Sequence, residues 1–107
     1  MGIFIMKKQD LQTGDIIINR GGYLGVVLAE QNEILYQLIG SDVLDEFNDD
    51  LTFAYDDYRD GDIMEVYRGV SFLEDDIKSV PPIYCRDESW VRPTAEEMEK
   101  KIKDLKL

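Results

Sequence analysis

The sequence predicts an α+β fold: a small, partly open antiparallel β-barrel built on residues 15 to 40, completed by residues 62 to 68, with a C-terminal α-helix packed on it. Three observations carry this expectation. Ile16, Ile17 and Ile18 form a β-branched run that stops at Asn19-Arg20-Gly21-Gly22, where paired glycines supply the positive φ of a hairpin turn. Two further apolar runs, Tyr23 to Ala29 and Glu33 to Ile39, follow with a polar break at Gln31-Asn32 and an end at Gly40. Thr94 and Glu97 then form a capping box directly after Pro93, ahead of residues with good helix propensity.

Neither face of these strands is cleanly polar. Ile34, Tyr36 and Leu38 line one face and Leu35 and Ile39 the other, so the sheet is covered on both sides or curls into a small barrel. Gly25, inside a strand, suits a bulge or a sharp bend. Upstream, Ile3, Phe4 and Ile5 fit a short edge strand, and Leu11 to Asp15 is a turn feeding Ile16. Downstream of Gly40, Ser41 or Asp42 can cap a short helix that turns Val43, Leu44 and Phe47 inward. Thr52 to Tyr55 is apolar enough to touch the core, and Asp56 to Gly61 is a loop.

The next strand, Asp62 to Arg68, alternates as a half-buried strand should, with Met64 and Val66 inward and Gly69 closing it. Ser71 and Glu74 fit a capping box, with Phe72, Leu73 and Ile77 as a short helical face ended by Pro81-Pro82. Ile83 to Arg86 and Ser89 to Arg92, flanking Asp87-Glu88, fit a terminal hairpin. In the tail helix, Glu96 with Lys100, Glu97 with Lys101 and Glu99 with Lys103 are i,i+4 pairs, each worth roughly 0.2–0.5 kcal/mol. Met98, Ile102 and Leu105 make its apolar stripe, narrow enough to dock on its own domain.

At 107 residues and 44% apolar content the chain is one domain, with the barrel core over about residues 10–69 and a helix and hairpin extension over about 70–107. The lone Cys85 cannot form an internal disulfide and no leader pattern opens the chain, which points to a reducing cytoplasm. Met1-Gly2 begins an acylation signal, but Met6 stands where that signal needs Ser or Thr; Met6-Lys7-Lys8 offers a second start. No apolar run approaches the roughly 20 residues of a spanning helix.

Charge is uneven. Of 23 acids and 12 bases, residues 41 to 76 hold 13 acids and only 2 bases, and so carry the net charge of −11. Direct binding to nucleic acid or an anionic membrane is disfavoured, because neutralising phosphate takes a basic surface. A basic protein partner fits instead.

The chemistry available is narrow. With no histidine, the usual general base, the histidine-based nucleophile systems and the commonest transition-metal ligand are all missing. Cys85 has no clear thiolate-stabilising field around it and reads as a buried structural residue. Asp56, Asp57, Asp60 and Asp62 around Gly61 invite a calcium-loop alignment, which fails because Tyr58 and Tyr67 fall on the third and twelfth ligand positions. Gly21-Gly22 and Gly25 do not form a phosphate loop, since no Lys-Ser/Thr follows and the next element is a strand.

The acidic block, interleaved with Phe47, Leu51, Phe53 and Tyr55, remains as the candidate partner-binding face: Asp42, Asp45, Glu46, Asp49, Asp50, Asp56, Asp57, Tyr58 and Asp60. Carboxylates would steer a basic partner and rings would bury against it, although the same composition also makes a solvated surface with core anchors.

Lys8-Gln9-Asp10-Leu11-Gln12-Thr13-Gly14-Asp15-Ile16, Phe47-Asn48-Asp49-Asp50-Leu51-Thr52, Asp62-Ile63-Met64-Glu65-Val66-Tyr67 and Thr94-Ala95-Glu96-Glu97-Met98 together give a further lead. In these stretches the chain resembles small, uncharacterised phage and prophage proteins of low-GC Gram-positive bacteria. The resemblance implies an SH3-like barrel and no assigned catalytic residues. Pro81-Pro82 and the short charged tail depart from it.

The expectation is a non-enzymatic acidic binding module without a cofactor. It would be an accessory or inhibitory factor that docks a basic protein, imitating the charge of DNA. The alternatives are a structural protein assembling as a homo-oligomer and an aspartate-based, metal-dependent hydrolase.

Overall fold

The computed structural model describes residues 6–37, 40–54, 59–70, 77 and 79–105, with the backbone alone at 101, 102, 104 and 105. Six strands, β1 (Ile16–Asn19), β2 (Leu24–Leu28), β3 (Glu33–Tyr36), β4 (Gly40–Val43), β5 (Ile63–Tyr67) and β6 (Tyr84–Cys85), form one antiparallel sheet in the order β4-β3-β2-β1-β5-β6. Among the described residues the sheet does not close: β4 and β6 are its two edges.

The Ile16–Ile18 run forms the expected strand, and its register sets Ile16 against Val26 and Tyr67, and Ile17 against Gly25 and Val66. The hairpin turn forms, with Gly22 and not Gly21 at positive φ. Gly22 has φ +93°, the Asn19 carbonyl accepts from the Gly22 amide at 2.9 Å, and the Asn19 side chain accepts from the Tyr23 amide at 2.9 Å. Gly25 corrects the expectation of a bulge or bend, because it sits in regular register between Ile17 and Tyr36. A Cβ there would lie 2.8 Å from the Tyr36 ring and 2.9 Å from Ile34, so close approach of neighbouring side chains explains the glycine. The irregularity in the sheet falls instead between Ile18 and Asn19, opposite β5.

One helix expectation and one strand are corrected. Residues 40 to 43 are not a helix but strand β4, and only a short 3-10 turn, Leu44–Glu46, follows. Leu44 and Phe47 do turn inward, whereas Val43 is 43% exposed. Strand β3 ends at Tyr36, with Leu38 and Ile39 outside the described residues, as are Ile3 to Ile5 and the Ser71–Glu74 box. Of the terminal hairpin only β6 pairs, through Glu65 with Cys85 and Val66 with Tyr84. The stretch Ser89 to Arg92 turns away: the Trp90 amide bonds the Asp87 carbonyl and Arg92 Nε bonds the Gly22 carbonyl at 2.8 Å.

Both sheet faces are covered. On one, Ile17, Val27, Ile34, Tyr36 and Val66 pack with Met6, Leu11, Leu44, Phe47, Leu51 and Phe53. On the other, Ile16, Ile18, Leu24 and Tyr67 pack with Ile77, and with the partly buried Val70, Val80 and Trp90. This two-sided burial is why β5 is not half-buried as alternation suggests: Ile63, Met64, Val66 and Tyr67 are all buried.

The segment from Glu46 to Ala54 folds back on itself through the Phe47–Phe53 bridge, with the two rings edge to face at 5.2 Å. Its tip places Leu51 at φ +72°, fully buried, which shows how strongly burial of that side chain outweighs its backbone strain. The tail helix α1 (Ala95–Leu105) has the expected reciprocal cap: Thr94 Oγ1 accepts from the Glu97 amide at 3.2 Å, and the Glu97 carboxylate accepts from the Thr94 amide at 3.3 Å. Met98 packs against the sheet residues beside Gly22, and Glu99 meets Lys103 at 3.9 Å. No described helix is long and apolar enough to cross a membrane.

Candidate functional site

The chain carries no lysine or arginine between Arg20 and Arg59. Strands β2, β3 and β4 all fall inside that interval, so one half of the sheet brings acids and no bases of its own. The arginines belong to the other half, where they are held by the fold. Arg68 grips the Asp15 carboxylate with both Nε and Nη2 at 2.8 Å, Arg86 Nε bonds the Ile63 carbonyl at 3.0 Å, and Arg92 reaches Gly22.

The expected acidic face divides into groups by its neighbours. Asp42 lies on β4 opposite Ile34, and Asp45 and Glu46 follow in the 3-10 turn at the end of that strand. Burial and the nearby Glu46 carboxylate push the Asp42 carboxyl above its ordinary value, while the neighbouring Tyr36 hydroxyl pulls it back. No described base pairs with Asp42, Asp45 or Glu46.

Asp49 and Asp50 sit at the tip of the 46–54 segment. There the Asp49 carbonyl accepts from the Lys8 amide at 2.9 Å, and the Asp50 carbonyl accepts from Arg86. Asp60 lies at the β1–β2 turn, its carbonyl accepting from the Gly21 amide at 3.0 Å. Asp56, Asp57 and Tyr58 are outside the described residues.

Asp50 is committed to local structure. Its carboxylate accepts from the Thr52 hydroxyl and, at 3.0 Å, from the Thr52 amide, which holds its pKa below the ordinary 3.8. A carboxyl depressed in the folded state stabilises the fold above its ordinary value, and that contribution is lost as pH falls through the folded value. Thr52→Val removes the hydroxyl donor, so Asp50 is expected to titrate at higher pH, as carboxyl chemical shifts followed through acid pH will read directly.

Two aspartates have structural work that the sequence did not disclose. Asp62, grouped by its spacing with the calcium-loop carboxylates, is buried at 2% exposure. Its Oδ1 accepts from the Phe53 amide at 2.8 Å and lies 3.5 Å from Arg59, while Oδ2 lies 3.6 Å from Arg20. Asp15 is equally buried; besides Arg68 it accepts from the Gln12 amide at 2.8 Å. Both carboxylates are thus occupied by arginine and backbone donors, and neither is presented to a ligand. Cys85 is half-buried at the β6 edge rather than fully buried as expected, and burial pushes its thiol up, away from thiolate chemistry.

No family model, curated protein or solved structure matches this chain. The functional reading therefore rests on the geometry of the acidic half of the sheet.

Proposed function

We propose that the chain is a non-enzymatic binding module that docks a basic protein surface. The observation that carries this reading is the group Asp42, Asp45 and Glu46, three carboxylates at one end of the sheet with no described base against them. Uncompensated charge of this kind costs self-repulsion, visible in the upward push of Glu46 on Asp42, and a basic partner would relieve it. The scaffold fits a partly open SH3-like barrel in strand order, a β1–β4 meander with β5 returning beside β1, and an accessory or inhibitory phage-type role that imitates the charge of DNA is the setting we favour. Asp62, one of the carboxylates around Gly61, is buried and held by arginine and backbone donors, which leaves one acid fewer there for an aspartate-based hydrolase.

The test is capture of basic protein by the natural chain and by the variant D42N/D45N/E46Q, at low and high salt. Asparagine at position 42 keeps an oxygen beside the Tyr36 hydroxyl, and urea unfolding of the variant checks that the fold is kept. A basic partner held by the natural chain, released by salt and lost from the variant supports the reading; capture indifferent to both overturns it.

A second reading, assembly as a homo-oligomer, is favoured by the exposure of Leu35 and Val43 at 46% and 43%. A light-scattering mass above the monomer, unaffected by salt, would support it.

A further inference from the structure

Among the described residues, strand β4 has one unused side. The Leu44 amide bonds the Asn32 carbonyl at 2.9 Å, and the β3–β4 register pairs Glu33 with Val43, Ile34 with Asp42 and Leu35 with Ser41. In an antiparallel ladder the bonded pairs alternate, so Asp42 and Gly40 bond inward to β3 while the amides and carbonyls of Ser41 and Val43 point out of the sheet. No described strand takes them, and Gly40, Ser41 and Val43 are all exposed. The two sides of this edge differ in chemistry. Val43 and Leu35 share one face, where the layer of Val70, Ile77, Val80 and Trp90 leaves Leu35 open, and Asp42 stands on the other within reach of Glu46.

We propose that the open edge of β4 receives an extended segment of a partner protein as a seventh strand, with a lysine or arginine opposite Asp42 flanked by apolar residues against Val43 and Leu35. This rests on the binding-module reading above and specifies its partner as an apolar–basic–apolar strand. Main-chain bonds to Ser41 and Val43 supply attachment, and the alternation of side chains supplies selectivity. Charge decides against a second copy as the occupant. Pairing two β4 edges so that Ser41 and Val43 of each both bond puts the symmetry axis at Asp42 and sets that residue directly against its own counterpart, about 4.5 Å apart between Cα atoms, in chains that each carry a net charge of −11.

The test uses the whole chain and two short peptides of equal charge, one alternating valine with lysine and one with proline at every valine position. Amide hydrogen exchange of the natural chain is expected to slow at Ser41 and Val43 on adding the valine peptide and not the proline peptide. Val43→Pro removes an outward donor without touching a β3 bond and is expected to weaken the valine peptide about five- to tenfold. The exchange readout uses the natural chain, so it stands whether or not the proline variant folds.

Equal binding of both peptides with no protection at Ser41 and Val43 would overturn the strand-addition proposal while leaving the acidic module intact. Failure of both peptides to bind at low salt would overturn both. Protection of Ser41 and Val43 that rises with protein concentration alone would assign the edge to a second copy and overturn the proposal.

Discussion

Asp62→Ala is expected to destabilise the fold by about 3 kcal/mol, because it removes a buried acceptor and a shared counter-charge together. The Phe53 amide loses its partner in a buried site, and Arg20 and Arg59 lose the carboxylate that lies between them. The two arginines are part-exposed, at 37% and 44%, and water compensates much of their loss. The bond lost from the buried Phe53 amide therefore contributes about half of the cost. Asp62→Asn keeps an oxygen for that amide and should cost about half as much, the difference between the two variants isolating the amide contribution. Urea unfolding of the three chains measures both values.

Ile17→Ala is expected to cost about 3–4 kcal/mol. Ile17 is completely buried on β1, and it packs with Val27 and Val66 from the strands on either side. Those neighbours are fixed in the sheet ladder, so the cavity cannot collapse. For a domain of this size that loss lowers the melting temperature by about 12 °C or more. Leu35→Ala on β3 is the matched control: with its side chain 46% exposed, the same kind of truncation should fall near 0.5 kcal/mol, roughly the value of a surface substitution. A comparable cost at both positions would mean that the Leu35 face is covered in solution.

What could be read in the sequence was local. The Ile16–Ile18 run, the Gly21-Gly22 turn and the Thr94/Glu97 cap each declare themselves within a few residues, and each forms as expected. Strand β4 did not, for a physical reason. Ser41 and Asp42 are good helix caps, Val43, Leu44 and Phe47 fit a helical face, and Gly40-Ser41-Asp42 has poor strand propensity. The segment is a strand because the edge of β3 offers it a ladder.

Gly25 is explained by Tyr36 and Ile34 across the strand pair, not by its own neighbours in the chain. The candidate site was legible only as charge. The acidic composition of residues 41 to 76 is plain, but its division into groups depends on distant partners, and Asp15 is hidden by an arginine 53 residues away. Asp62 looked like one of a ligand cluster because spacing does not say which carboxylate turns inward.

The measurement that tests the central claim most directly is the salt dependence of affinity for the valine–lysine peptide, by calorimetry, for the natural chain and D42N/D45N/E46Q. The account predicts that the natural chain binds at low salt, that affinity falls steadily as salt rises, and that the variant binds weakly with a much shallower dependence. Equal affinity and equal salt dependence in the two chains would contradict it, showing that the carboxylates at the end of β4 do not form the binding surface.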